Sequence, residues 1–234
     1  MSKLSIIIPA YNEARTIRRL VEKILATPFS TDFEVIIVDD HSKDRTYRIA
    51  KILNERDLSQ RIRLFRNDVN RGKGYSLQHG FQKVTGDIVV VQDADFEYDP
   101  AEIPKLMQPI LEGRTDVVYG SRFLGALRPQ GMAWANCLAN HFLTFFTNLL
   151  YGSRLTDMET CYKLIRVNIL KDLSLNARRF DFEPEITSQL LKKKVKIQEL
   201  PISYHGRTAS EGKKIKAGDF FIAVWVLLAN RFAP

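Results

Sequence analysis

Three short runs of apolar, mostly β-branched residues constrain this chain more than anything else in it: Leu4-Ser5-Ile6-Ile7-Ile8, residues 33–38, and Ile88-Val89-Val90-Val91. Each is apolar almost continuously rather than at alternate positions, the pattern of a strand covered on both faces. Helix patterns lie between them. Ile17, Leu20, Val21, Ile24 and Leu25 recur at i, i+3, i+4, i+7 and i+8, one face of a helix that ends at Pro28. Ile49, Ile52 and Leu53 mark a second helix, with Ser42 or Asp44 placed to cap it. Gly72-Lys73-Gly74 opens a third, carrying Leu77, Phe81 and Val84 and stopped by Gly86, and residues 100–111 read as a fourth. Residues 61–65 and 116–119 add two more strands. Buried strands alternating with amphipathic helices predict an α/β fold: a Rossmann-like, mostly parallel sheet with helices on both faces.

Such sheets bind ligands at the carboxyl ends of their strands. The polar signals fall there: Tyr11-Asn12-Glu13, Asp39-Asp40, and Asp93 through Glu97. Asp93 and Asp95 stand at i and i+2, which in extended chain puts both carboxylates on one side. Two carboxylates so placed can share a divalent cation, with Glu97 as a third oxygen donor, and Mg²⁺ or Mn²⁺ suits that set. The competing reading is a solvated turn. Asp39-Asp40 can accept from a nucleoside or cap the next helix. Gly72-Lys73-Gly74 can approach a phosphate, but it is no Walker A sequence. Arg122, Arg207 and Lys213 are candidate phosphate clamps, although a lone arginine is ordinarily a surface charge.

The second half is less regular. Leu138, Phe142, Phe145, Phe146 and Leu149 form a helical stripe with Asn140, Thr144, Thr147 and Asn148 opposite. Residues 161–167 read as a strand, Pro184 sits in the first turn of a helix carrying Ile186, Leu190 and Leu191, and residues 195–200 alternate like an edge strand. Lys213-Lys214-Ile215-Lys216 leads into a final apolar run of ten residues, 220–229. A membrane span needs about 20 residues, so the two apolar segments predict core helices or helices lying in a headgroup layer. No signal-peptide pattern opens the chain, and two cysteines make no secreted disulfide framework, so a reducing, cytoplasmic setting is expected. The net charge of +8 suits anionic partners. Nucleic acid is not expected among them, because acidic strand ends are the wrong lining for it.

Taken together, Pro9-Ala10-Tyr11-Asn12-Glu13, Val38-Asp39-Asp40-His41-Ser42-Lys43-Asp44, Asn70-Arg71-Gly72-Lys73-Gly74 and Asp93-Ala94-Asp95 resemble family 2 glycosyltransferases of the GT-A fold. Tyr119-Gly120-Ser121-Arg122-Phe123, Thr156 through Lys163, and Tyr204-His205-Gly206-Arg207 resemble the branch that glycosylates dolichyl or polyprenyl phosphate with mannose or glucose. The resemblance implies one catalytic domain over residues 1–234. Its nucleotide-sugar half would be 1–120 and its acceptor half 121–210, with a basic loop and amphipathic helix over 211–234. It implies that Pro9, Tyr11, Glu13 and Asp39 hold the nucleoside, with Asp40 and Lys73 also at the substrate. Asp93, Asp95 and Glu97 would hold Mg²⁺ or Mn²⁺ and the donor diphosphate. Arg207 and Lys213 would close over the phosphates, and Arg122 would face the acceptor phosphate. The expected reaction is an inverting, metal-dependent transfer of a hexose from UDP-glucose or GDP-mannose. The expected place is peripheral, on the cytoplasmic face of a membrane.

One departure stands out. Lipid-phosphate members often carry an arginine in the acceptor helix where this chain has Cys137, within Asn136-Cys137-Leu138-Ala139-Asn140, which removes one acceptor-phosphate ligand. A lipid phosphate is largely ionised at neutral pH and needs no base. A hydroxyl acceptor would need one, and Asp157 and Glu159 are the candidates, unless they form a structural turn or pair with Lys163 or Arg154. A sugar-nucleotide nucleotidyltransferase is a rival from another class, but it would want a glycine-rich phosphate signature where Pro9 through Glu13 stands.

Overall fold

The computed structural model describes residues 2–125, 128–207 and 217–233. Its centre is a seven-stranded sheet in the order β3-β2-β1-β4-β6-β5-β7. The three apolar runs form its middle: β1 (Lys3–Ala10), β2 (Asp32–Asp39) and β4 (Ile88–Val91), each buried almost throughout. β1 pairs parallel with β2 on one side and β4 on the other. β3 (Ile62–Arg66) pairs parallel with β2, and β7 (Ile197–Pro201) closes the far edge parallel to β5 (Val117–Ser121).

β6 (Lys163–Arg166) breaks the pattern by running antiparallel to both β4 and β5. Its direction has a consequence. The edge where β1, β2, β4 and β5 end is also where β6 begins, so the residues before β6 arrive there and Cys161 meets Asp93. Strand pattern alone reports burial, not order or direction across a sheet. The strand expected over 161–167 is therefore shorter than foreseen, and its insertion was not foreseen at all.

The helices cover the sheet as their periodicity requires. α1 (Ile17–Ala26) buries Ile17, Leu20, Val21 and Ile24. α2 (Thr46–Arg56) starts where Asp44 Oδ1 accepts the Thr46 N–H at 2.9 Å; Ser42 instead accepts the Asn12 N–H. α3 (Lys73–Phe81) lies so close to β1 that a Cβ on Gly80 would stand 2.6 Å from Ile7 Cγ2. It ends before Val84, and Gly86 does not stop it. A Cβ on Gly86 would meet the Lys3 carbonyl oxygen at 2.6 Å, so the glycine there permits close approach to β1. Residues 100–111 divide into a 3₁₀ turn and α4 (Ile103–Leu111).

The second half adds α5 (Trp134–Tyr151), α6 (Val167–Lys171), α7 (Phe182–Lys192) and α8 (Ala217–Phe232). α5 is turned the opposite way from a core helix. Thr144 and Thr147 are buried, while Leu138 is 72% exposed, Phe145 64% and Leu149 68%. The polar side is used inward: Thr144 Oγ1 accepts the Met158 N–H at 3.1 Å, and Asn148 brackets Leu155 through its N–H (2.9 Å) and its carbonyl (2.8 Å). α5 therefore holds the 155–158 loop. α8 packs beside it through Leu143, Met158, Ala223 and Leu227, and leaves Phe221, Trp225 and Phe232 exposed on its own outer side.

Candidate active site

The loops after β1 and β2 are laced together. The Lys43 N–H donates to Asn12 Oδ1 at 2.8 Å and the Glu13 N–H to Thr46 Oγ1 at 2.7 Å. Asn12 and His41 take left-handed backbone angles to make these turns, with φ of 53° and 59°. Pro9 and Ala10 lie beside Val38 and Asp39 in the β1–β2 register, and the lacing holds the turn from Tyr11 to Glu13 against the loop that follows Asp39. Asp39 is fully buried. Its Oδ2 accepts the Ser42 N–H at 3.2 Å and faces Arg66 Nε at 3.2 Å, while its Oδ1 has no hydrogen-bond partner among the described residues.

Asp40, expected at the substrate, is spent on its own fold. Its oxygens accept from Asn67 Nδ2 (2.8 Å), Asn70 Nδ2 (2.9 Å), the Arg71 N–H (2.9 Å) and the Gly72 N–H (2.7 Å). It anchors the loop that leads into α3, and that loop delivers Lys73. Lys73 Nζ lies 2.8 Å from Asp93 Oδ1 and 2.8 Å from Glu183 Oε1. Burial opposes its charge, but the two carboxylates outweigh burial and hold its pKa well above the ordinary lysine value.

β4 ends at Val91, and Asp93 through Glu97 form a turn with Phe96 at φ 68°, not extended chain. Asp93 faces Lys73, and Asp95 Oδ2 lies 3.0 Å from Arg207 Nη2. Burial, then the charges of Asp93 and Glu97, push the Asp95 carboxyl up to about 7. Glu97 does not complete a three-carboxylate ligand set. It accepts from Tyr204 Oη at 2.7 Å and from the Arg207 N–H at 2.8 Å, and its carbonyl accepts the His205 N–H at 3.0 Å. No group of three acidic, His or Cys ligands gathers for a metal among the described residues. The pair Asp93 and Asp95 could hold one. Arg207 also spans to Glu13, with Nη1–Oε2 at 3.2 Å, so one guanidinium bridges the β1 and β4 ends. Lys213 lies outside the described residues.

Arg122 and Asp157, expected as acceptor clamp and base, are each other's partner. Arg122 Nε donates to Asp157 Oδ2 and Nη2 to Oδ1, both at 2.7 Å, and the Arg122 N–H reaches Oδ2 at 2.9 Å. Asp157 is fully buried and Arg122 only 7% exposed, with Nη2 also 3.2 Å from Asn140 Oδ1 on α5. Cys137, where the family's arginine was expected, is buried on the same helix. Glu159 lies behind this pair. Burial, then the charge of Glu183, push its carboxyl up to about 7, and its Oε1 has no partner among the described residues. Lys163, buried beside it, donates to the Met158 carbonyl at 3.0 Å. Glu183 is the residue that sequence reasoning missed; it opens a helix far along the chain, and no local motif ties it to Lys73.

Two outcomes follow from this geometry. Asp157→Ala leaves the Arg122 guanidinium buried without its counter-charge, and should lower unfolding free energy by about 3–5 kcal/mol in urea titrations; a loss below about 1 kcal/mol would contradict the pairing. Glu159 binds its proton more tightly folded than unfolded, because its folded pKa of about 7 exceeds the ordinary 4.5. Its ionisation therefore costs stability progressively as pH rises between those values. Glu159→Gln should gain on the parent chain across that window and hold a constant advantage above it. A pH-independent difference would remove the buried-acid assignment.

Residues 5–174 match the profile of Glycosyl transferase family 2. The UDP-N-acetylglucosamine–dolichyl-phosphate N-acetylglucosaminyltransferase of Methanococcus voltae is 31% identical over 91% of this chain and 90% of its own length. The dolichol-phosphate mannosyltransferase of Pyrococcus furiosus is 28% identical over 90% of this chain and 59% of its own. The low-salt glycan biosynthesis hexosyltransferase Agl6 of Haloferax volcanii is 29% identical over 87% of this chain and 48% of its own, so the chain spans about half of that relative. The glucosyl-3-phosphoglycerate synthase of Mycobacterium tuberculosis, solved with Mn²⁺, UDP and glucosyl-3-phosphoglycerate, superposes with a TM-score of 0.71 at 20% identity, covering 100% of this chain and 81% of that one. The fold is thus of the GT-A type, and the chain belongs to glycosyl transferase family 2.

Proposed function

We propose that this chain moves a hexose from a nucleotide-sugar, UDP-glucose or GDP-mannose, to a polyprenyl or dolichyl phosphate, with Mg²⁺ or Mn²⁺ held by Asp93 and Asp95. The observation that carries the reading is the outward apolar face of α5 and α8, tied to the strand ends by the Arg122–Asn140 contact. A lipid laid along that face brings its headgroup to the acidic turn.

The donor set suits such a cation. Two carboxylates on one turn, one of them pushed up to about 7 by burial and by its neighbours' charge, form an under-compensated acidic pair at a strand end. Mg²⁺ takes one or two carboxylates and completes its shell with phosphate and water. A cation bound there supplies charge stabilisation for the departing diphosphate. Asp39 Oδ1 is a buried acceptor suited to an N–H of the nucleobase. Arg207, spanning Glu13 and Asp95, stands between the nucleoside end and the acidic pair, where it can pass to phosphate oxygens as negative charge develops. The acceptor phosphate attacks the anomeric carbon as its own nucleophile. This fits Asp157, both of whose oxygens accept from Arg122.

A second reading, a hydroxyl acceptor, draws on one observation: Glu159 keeps an oxygen with no partner among the described residues, and burial pushes its carboxyl up to about 7. The relatives whose names include dolichyl or dolichol phosphate favour the lipid.

No described helix is long and apolar enough to cross a membrane. The exposed aromatics of α5 and α8 fit a helix pair lying in the headgroup layer, with Arg231 at its end facing anionic lipid. Labelled sugar should pass from UDP-glucose or GDP-mannose to a polyprenyl monophosphate only with Mg²⁺ or Mn²⁺ present, and Glu159→Gln should retain that transfer. Organic-phase counts read the outcome. No label from either donor would refute the proposed transfer, and label that reaches a sugar hydroxyl acceptor instead and is lost in Glu159→Gln would favour the hydroxyl reading. Sedimentation with phosphatidylglycerol liposomes should fall at least tenfold for Leu138→Glu/Phe145→Glu/Trp225→Glu; undiminished binding would contradict docking through this face.

A further inference from the structure

Lys73 cannot neutralise Asp93 by itself, because its one charge is divided. Its Nζ stands 2.8 Å from a carboxylate oxygen of Asp93 and 2.8 Å from one of Glu183. Glu183 lies in the first turn of α7 and is 5% exposed. The sharing is built by backbone rather than by chance rotamers. The Gly74 and Tyr75 N–H groups donate to the Arg179 and Arg178 carbonyls, both at 3.1 Å, which clamps the start of α3 onto the segment that leads into α7. A Cβ on Gly74 would stand 2.5 Å from the Ala177 carbonyl oxygen, so no other residue lets the two backbones meet this closely. Glu185 fixes the same segment from inside α7 by accepting the Ala177 N–H at 2.9 Å.

We infer that Glu183 is a positioning residue for divalent-cation binding: by drawing half of the Lys73 charge away from Asp93, it preserves the negative potential that lets Asp93 and Asp95 take a cation. The inference rests on the proposed role of that pair as metal ligands. The charge count makes the point. Lys73 with Asp93 alone is a neutral pair, which would leave Asp95 facing Arg207 with little attraction for a dication. Lys73 with both carboxylates is a trio of net charge −1, with Lys163 and Glu159 as a further opposed pair beside Glu183. At separations of a few ångströms in a partly buried site, one unit of charge alters cation affinity substantially.

The test is Mn²⁺ binding without any sugar donor, followed by electron paramagnetic resonance of free Mn²⁺, with and without UDP or GDP. Glu183→Gln gives the whole of Lys73 to Asp93 and should weaken Mn²⁺ by about tenfold. Lys73→Met/Glu183→Gln removes both charges, returns the trio's −1 to Asp93, and should bind Mn²⁺ at least as tightly as the parent chain. A role limited to shape predicts that the double variant is as weak as the single one or weaker. Glu183→Gln binding Mn²⁺ as the parent does, or a double variant no better than the single, overturns the inference. If Glu183→Gln fails to fold, the double variant against the parent decides alone, and weaker binding in it overturns the inference. A parent chain that takes up no Mn²⁺, with or without nucleotide, instead refutes the Asp93–Asp95 assignment on which the inference stands.

Discussion

The balance of charge at the carboxyl edge of the sheet governs this molecule. A parallel sheet ends its strands together, and here that brings Glu13, Asp93, Asp95 and Glu97 into one small region. Burial disfavours ionisation and like charges at such range add to it, which is why Asp95 is driven up to about 7. Two cations keep the arrangement folded. Lys73 enters from α3 and divides itself between Asp93 and Glu183, and Arg207 arrives from the far end of the chain to span Glu13 and Asp95. Two positive charges stand against four carboxylates, so the edge is held and still under-compensated. That residue of negative potential is the physical basis for proposing a metal–diphosphate site there.

A second ionic pair does a different job. Arg122 and Asp157 satisfy each other in the interior, at the junction of β5, α5 and the loop that precedes β6. The loop reaches this position because α5 turns Thr144 and Asn148 inward to hold it. The cost of that choice is an apolar outer face. A helix that gives its polar side to the interior must offer its leucines and phenylalanines to something else, and α8 extends the same surface. The acidic edge comes from the sheet and the apolar face from the turn of α5, and the Arg122–Asn140 contact links the two, which is why a water-soluble donor and a lipid acceptor can be proposed to meet here.

Much of the fold could be read from the amino acids. Continuous β-branched runs located β1, β2 and β4, and apolar spacing located α1 and α3, because burial writes itself into local pattern. The acidic strand ends were legible for the same reason: the strand stops where the carboxylates start. What escaped was set by contacts between distant residues. Nothing near Lys163 announces that β6 will insert antiparallel between β4 and β5. Asp40 looked like a ligand because its neighbour Asp39 did, yet the donors from Asn67 through Gly72 claim it. Arg122 and Asp157 looked available because sequence cannot show a partner 35 positions away. The stripe on α5 was legible, but its direction was not, since an apolar stripe reads alike whether it faces the core or lies exposed.

The most direct test of the account is a crystal structure with a nucleoside diphosphate and Mn²⁺ bound. The charge-balance account predicts the ion on Asp93 and Asp95, with Arg207 moved from Asp95 to the phosphate oxygens and Lys73 still shared with Glu183. A diphosphate bound elsewhere, with Arg207 still paired to Asp95 and Glu13, would contradict it.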